Sequence, residues 1–146
     1  MLTPNQRLKT AGLGVILVTA GEVARHVLQR TYITYVLTNP TTGQVYAGRA
    51  SGYGTPNQVL WDRLSRHHMW QRGFTQHRID VAAQGDQAYS AIRGREQQLL
   101  DSFGGVGDPQ VANAIRGVAK TNPFGRFFHA ASDNWFGNIA PYTGYF

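Results

Sequence analysis

The segment TYVLTNPTTGQVYAGRA, residues 34–50, constrains the fold more than any other part of the chain. Two runs rich in Val, Tyr and Leu flank a Pro-Thr-Thr-Gly turn, the pattern of an antiparallel hairpin. Its arms are expected at about 31–38 and 43–49. With residues 39–42 as a four-residue loop, Thr38 opposes Gly43 and Tyr35 opposes Tyr46, so both phenols leave one face. A slip of one residue would separate them. Tyrosine is a good strand former, so packing alone is the plain account of the two rings.

After the hairpin, ASGYGTPN (50–57) reads as a Gly-rich loop, and a helix follows from about Pro56, a proline suited to a first turn. HRIDVAAQ (77–84) reads as a third strand. DQAYSAIRGREQQLLDSF (86–103) reads as a helix, with Asp86 as its N-cap and Gly104 as its stop. A short helix at about 108–119 then leads into an aromatic, Asn-rich tail. Residues 1–30 stand apart. Leu13, Ile16, Leu17, Ala20, Ala24, Val27 and Leu28 follow the spacing of an amphipathic helix. A signal peptide is the alternative, but the apolar run is short and broken by glycine. It is also too short to span a bilayer, so no membrane insertion is expected. The expectation is an α+β domain at 31–146, a small three-stranded sheet flanked by helices. The extra N-terminal helix at 1–30 would be the junction with a longer parent chain.

Composition narrows the chemistry. At 146 residues with 42% apolar content, the chain is sized for one modest core. Fourteen basic residues against eight acidic ones give a net charge of +6, and all but Lys9 and Lys120 of the fourteen are arginine. The guanidinium fork matches phosphate, so a polyanion is a reasonable partner. No cysteine is present, which removes disulfides, thiolate nucleophiles and Cys-based zinc sites. The adjacent His67 and His68 would diverge by about 100° on a helix and do not suit one metal. Neither a G-x-S-x-G elbow nor a phosphate loop is found, and FGGVGD (103–108) reads as an inter-helix loop.

Two polar groups sit where polarity is costly. On the helix at 86–103 the apolar stripe runs through Ile92, Leu99 and Phe103, and Glu96 falls on the same line. A carboxylate there has to be paired, coordinated or shifted in pKa. A salt bridge to Arg93 or Arg95 is the plain account. On the helix after Pro56, Leu60 and Leu64 make an apolar i, i+4 pair. Arg63 and His67 make a second pair on the neighbouring face, either a phosphate grip or a solvated surface pair.

The order of these features resembles the GIY-YIG endonuclease superfamily. TYV (34–36) stands for its first motif and YAG (46–48) for its second. RLSRH matches its Arg-x-x-x-His helix through Arg63 and His67, and GREQQLL supplies its helix-borne glutamate as Glu96. Arg49 matches a basic residue often found after the second motif. NAIRGVAKTNP resembles the family's asparagine region, with Asn113 the better match and Asn122 the alternative. The motifs depart from the family where the Gly-Ile pair is missing before Tyr35 and where Ala47 replaces isoleucine or valine. The C-terminal portion is most similar to the nuclease domains that end bacterial polymorphic toxins.

The resemblance implies metal-dependent hydrolysis of a phosphodiester, in DNA more than RNA. Glu96 would hold one divalent cation such as Mg²⁺, Arg63 would clamp the phosphate, and Arg49, Asn113 and Asn122 would assist binding. Tyr35 or Tyr46 would be the base, its pKa lowered by Arg49 and His67, or His67 would relay the proton or act as base itself. A toxin would be secreted or injected to act in a target cell's cytoplasm, and a small acidic immunity protein would block it in its producer. A non-catalytic nucleic-acid-binding module, a repair or restriction enzyme and an adaptor with a salt-bridged Glu96 are the other readings.

Overall fold

The computed structural model describes residues 29–145. The N-terminal helix expected at 1–30 lies outside the described residues, except that Arg30 already opens the first strand. The elements are β1 (Arg30–Thr38), β2 (Val45–Tyr53), α1 (Pro56–Leu64), α2 (His68–Gln71), β3 (Gln76–Gln84), α3 (Ala88–Ser102) and α4 (Gly125–Phe136). The strands form one antiparallel sheet in the order β2-β1-β3, so the described fold is α+β.

The hairpin is present, but its register differs from the expected one by two residues. Thr38 pairs with Val45, Leu37 with Tyr46 and Tyr35 with Gly48. Asn39 sets this. Its side-chain oxygen accepts from the backbone N–H groups of Thr41 and Thr42, and its own N–H closes on the Gln44 carbonyl at 2.9 Å. Gly43 takes the left-handed φ of 75° that the longer loop requires. A two-residue shift keeps every side chain on its face, so Tyr35 and Tyr46 still share one, as diagonal rather than opposed neighbours. β2 also continues through residues 50–53, which the sequence placed in a loop.

The sheet separates two apolar clusters. On one face Ile33, Tyr35 and Leu37 meet Val59, Leu60 and Leu64 of α1, together with Met69 and Phe74. On the other, Val36, Val45 and Ala47 meet Leu99 and Leu100 of α3. Thr55 opens α1 with a reciprocal cap: its hydroxyl accepts from Gln58 N–H, and Gln58 Oε1 accepts from Thr55 N–H at 2.7 Å. α3 begins without such a cap. Asp86 is not its N-cap; Gln87 holds that position in a left-handed conformation with no side-chain bond. Tertiary packing sustains the helix instead.

Asp80 is the extra residue of a bulge in β3, where Thr34 faces Val81 but Tyr35 faces Ile79. Its carboxylate accepts from Thr34 Oγ1 and from two nitrogens of Arg95, at 2.7 and 3.1 Å. Arg95 is therefore occupied on the sheet and is not the partner of Glu96.

The helix expected at 108–119 does not form. The chain runs along the outer edge of β2 instead, where Val45 N–H donates to Gln110 O and Ala112 N–H donates to Val45 O. The unpaired backbone of an edge strand competes for this segment, and Gly107, Pro109 and Gly117 make it a poor helix. The aromatic tail, in turn, contains α4. α4 packs closely on α3 at Gly94, where a Cβ would collide with the carbonyl oxygen of Phe128. Across the same contact Gln98 bonds Ser132 and Asp133. No described helix is long and apolar enough to cross a membrane.

Gly94→Ala is expected to pry α4 from α3 and to destabilise the domain by about 1–3 kcal/mol. The urea midpoint measures this. An unchanged midpoint would mean that the two helices separate without cost.

A candidate active-site cleft at the β2 edge

A cleft of about 560 Å³ opens where α1 and α3 flank β2. Tyr35 and Tyr46 reach it from the α1 face of the sheet, with Arg63 from α1 itself. Arg49 and Glu96 reach it from the α3 face, and Asn113 joins from the segment along the edge. Gly48 allows the two faces to meet. It pairs with Tyr35, and a Cβ there would lie 2.5 Å from the Tyr35 hydroxyl, so the phenol lies over bare backbone. Gly117 does the same for the carboxylate, since a Cβ there would strike Glu96 Oε1.

Glu96 has a side chain only 12% exposed, and its nearest cation is Arg49 at 3.6 Å. Burial raises its pKa above the ordinary 4.5; Arg49, Arg93 and Arg63 counter this only in part. The salt bridge is thus to Arg49 rather than to Arg93 or Arg95. Arg93 turns to Tyr89, donating to its hydroxyl at 2.8 Å.

Tyr35 is fully buried. Burial pushes its pKa up to about 12, against the pull of Arg63, whose Nε donates to its oxygen at 3.4 Å. Burial also raises Tyr46, with Glu96 adding to the rise and Arg63 opposing it. Neither phenol is therefore depressed in the protein alone, contrary to the expectation from sequence.

His67 explains part of that difference. α1 ends at Leu64, so His67 is not the i+4 partner of Arg63 on one helix. It caps α2 instead, its Nδ1 accepting from Met69 N–H at 3.1 Å. Only 4% exposed, it lies against the rings of Tyr46 and Tyr35 at 5.0 and 6.0 Å and does not line the cleft. Burial, with Arg63 and His68, lowers its pKa to about 4. A neutral imidazole supplies no positive charge to the phenols.

The two asparagines separate. Asn113 grips Ala47 by both backbone groups, accepting from its N–H at 3.0 Å and donating to its carbonyl at 2.7 Å. It anchors the edge segment and lines the cleft. Asn122 lies outside the cleft and caps a turn at Phe124 N–H.

Several lining residues escape a sequence reading. Arg66, ion-paired to Asp62 at 2.7 Å, and Arg116, held by Val118 O and Thr143, bring the cleft to four arginines. Arg66 sits inside the RLSRH motif; Arg116 carries no local signal, because its segment is irregular. Tyr89, seven residues before Glu96 on α3, shares its helix face and was legible from that spacing.

Among the described residues no three His, Asp or Glu side chains gather. The donor set still suits one Mg²⁺. That ion takes oxygen ligands, one or two carboxylates with several waters and substrate phosphate completing its shell. Glu96 is a shielded oxygen donor whose ion pair is long, beside four arginines suited to phosphate.

The raised Glu96 pKa implies a charge that costs the folded state stability as pH rises from 4.5 through the folded value. Glu96→Gln is expected to raise the metal-free melting temperature at neutral pH, with the gain vanishing toward pH 4.5. His67 acts in the opposite sense. Its pKa is depressed, so its contribution is complete above 6.5 and lost as pH falls to about 4. His67→Asn, which keeps an acceptor for Met69, should flatten the acid side of the stability profile. Parallel profiles for wild type and both variants would contradict these environments.

No protein-family model matches the chain, and no curated protein or solved structure matches it.

Proposed function

We propose that this protein is a metal-dependent nuclease of GIY-YIG type that hydrolyses phosphodiester bonds, in DNA by preference. One observation carries the reading: two phenols, two arginines and a shielded carboxylate from five separate sequence positions line a single cleft. A shielded carboxylate with a raised pKa, set beside two arginines in a cleft, is an arrangement that functional sites use.

The residues divide the work as follows. Arg63 clamps the scissile phosphate with its guanidinium fork and neutralises the charge that develops on the phosphoryl oxygens. Arg49, 38% exposed on a 3.6 Å pair, is able to leave Glu96 for the same phosphate. Tyr35, with a pKa of about 12, keeps its proton at neutral pH; its oxygen accepts from Arg63 and so orients that guanidinium toward the phosphate. Tyr46 is the less buried phenol; once its own proton has passed to solvent, its phenolate takes the proton of the attacking water. Glu96 would hold Mg²⁺, which would supply Lewis-acid neutralisation and lower the pKa of a bound water. Neutralising the Glu96 carboxylate would remove the second cause of the raised Tyr46 pKa. His67 supports the two rings from behind.

Incubation with plasmid DNA, with single-stranded DNA and with labelled RNA, in Mg²⁺ and in chelator, tests this. Wild type should cut DNA only with the metal, and Glu96→Ala should not cut. Tyr46→Phe should lower turnover by about 10²–10⁴-fold and flatten the rise of rate with pH. Metal-independent cutting, or full activity in both variants, would refute the reading.

The resemblance to polymorphic-toxin domains extends the proposal to an effector that acts inside a target cell. Its natural antidote is a small acidic protein seated over the four arginines, because opposite charge speeds association and covers the phosphate path. Such a partner should compete with nucleic acid and associate more slowly as salt rises. Expression of folded wild-type domain that leaves cells unharmed, with no neighbouring gene present, would count against the toxin role and leave the nuclease untouched.

A further inference from the structure

Tyr89 is a pinned aromatic ring that the fold leaves in the open. It lies in the first turn of α3, lines the cleft, and is 44% exposed. Three neighbours fix it. Tyr32 meets it edge-on at 6.1 Å, Phe128 meets it edge-on at 6.4 Å, and Arg93 holds its hydroxyl at 2.8 Å with the guanidinium 5.7 Å from the ring centre. Seven residues of helix put it about 10 Å along the axis from Glu96. Rigid, exposed aromatic rings beside arginines are the platforms on which unstacked bases rest.

A second apolar group shares this cleft. Ile115 is 79% exposed, the most exposed of the large apolar side chains among the described residues. Its segment is not slack. Asn113 fixes one side to Ala47, and Val118 N–H donates to Gln97 Oε1 at 3.0 Å on the other. An isoleucine held out on an anchored loop next to Arg116 is an apolar surface without a use in the core. The cleft has the volume of a single-ligand pocket. A nucleotide taken out of its stack fits that scale, whereas a base in a duplex shows only its edge.

We propose that the cleft takes an unpaired nucleic-acid strand, with one base stacked on Tyr89, a neighbouring base against Ile115, and the intervening phosphates on the arginines. This rests on the nuclease reading for the position of the scissile phosphate and adds the state of the strand. Stacking reads the face of a base and not its sugar, so single-stranded DNA and RNA share this chemistry.

Fluorescence anisotropy in chelator tests it without cleavage. The probes are a short labelled single-stranded DNA, the same sequence as RNA, and its DNA duplex. Wild type should bind a single strand more tightly than the duplex. Tyr89→Ala should weaken single-strand binding by about 5- to 150-fold, with duplex binding nearly unchanged. Tyr89→Trp should restore it, and Ile115→Ser should cause a smaller loss. A 2-aminopurine in the strand should be quenched by wild type and not by Tyr89→Ala. Equal or tighter duplex binding overturns the proposal. So does single-strand binding indifferent to Tyr89, provided Tyr89→Ala melts as wild type does; if it does not, Tyr89→Trp and Ile115→Ser decide, and unchanged quenching together with an inert Ile115→Ser overturns it. Tyr89-dependent single-strand binding without cleavage in Mg²⁺ would defeat the nuclease reading alone. Mg²⁺-dependent cleavage indifferent to Tyr89 and to strand pairing would defeat this inference alone.

Discussion

The site depends on one missing side chain. A sheet normally keeps the groups of its two faces apart, and here the phenols and Arg63 belong to one face while Arg49 and Glu96 belong to the other. Gly48 sits opposite Tyr35, and any Cβ there would lie within 2.5 Å of the phenol oxygen. The bare position lets the ring lie across the edge strand, where the two sets of groups meet. The segment after α3 then closes the outer side, because the edge of β2 needs backbone partners and Asn113 supplies the last of them at Ala47. The same competition that denies residues 108–119 a helix completes the cleft.

The electrostatics are unbalanced in the protein alone. Glu96 is shielded from water but only loosely paired, Tyr35 is buried with a high pKa, and His67 is held neutral. Each environment opposes the charged form of its group. The compensating arginines stand at the rim, where solvent weakens them. An anionic ligand arriving with a cation would satisfy both sets at once and would then couple binding to folding stability.

Much of the fold was legible because it rests on local pattern. The hairpin, the third strand and the helix carrying Glu96 each announce themselves through alternation or helical spacing. The shared face of Tyr35 and Tyr46 survived a two-residue error in register because side chains alternate with a period of two. Other features depend on partners distant in sequence. Asn39 lengthened the loop through its own side chain. Residues 108–119 answered to β2 rather than to their own propensity. His67 left α1 because the helix stops at Leu64, which an i, i+4 match does not reveal. α4 was hidden by aromatic and Asn-rich composition, although Gly94 had already cleared its docking surface on α3.

The anchoring of Arg116 reaches into the tail of the domain. Its guanidinium holds Thr143, Thr143 donates to Asp101 at 2.7 Å, and Tyr145 N–H donates to the carbonyl of Lys120. Synthesis from the N-terminus therefore delivers the strands, α1 and α3 well before the residues that lock the cleft's last arginine in place. A chain translated only as far as α4 would lack the Thr143 contact to the Arg116 guanidinium. The hold on Arg116 is thus complete only once residue 143 is present.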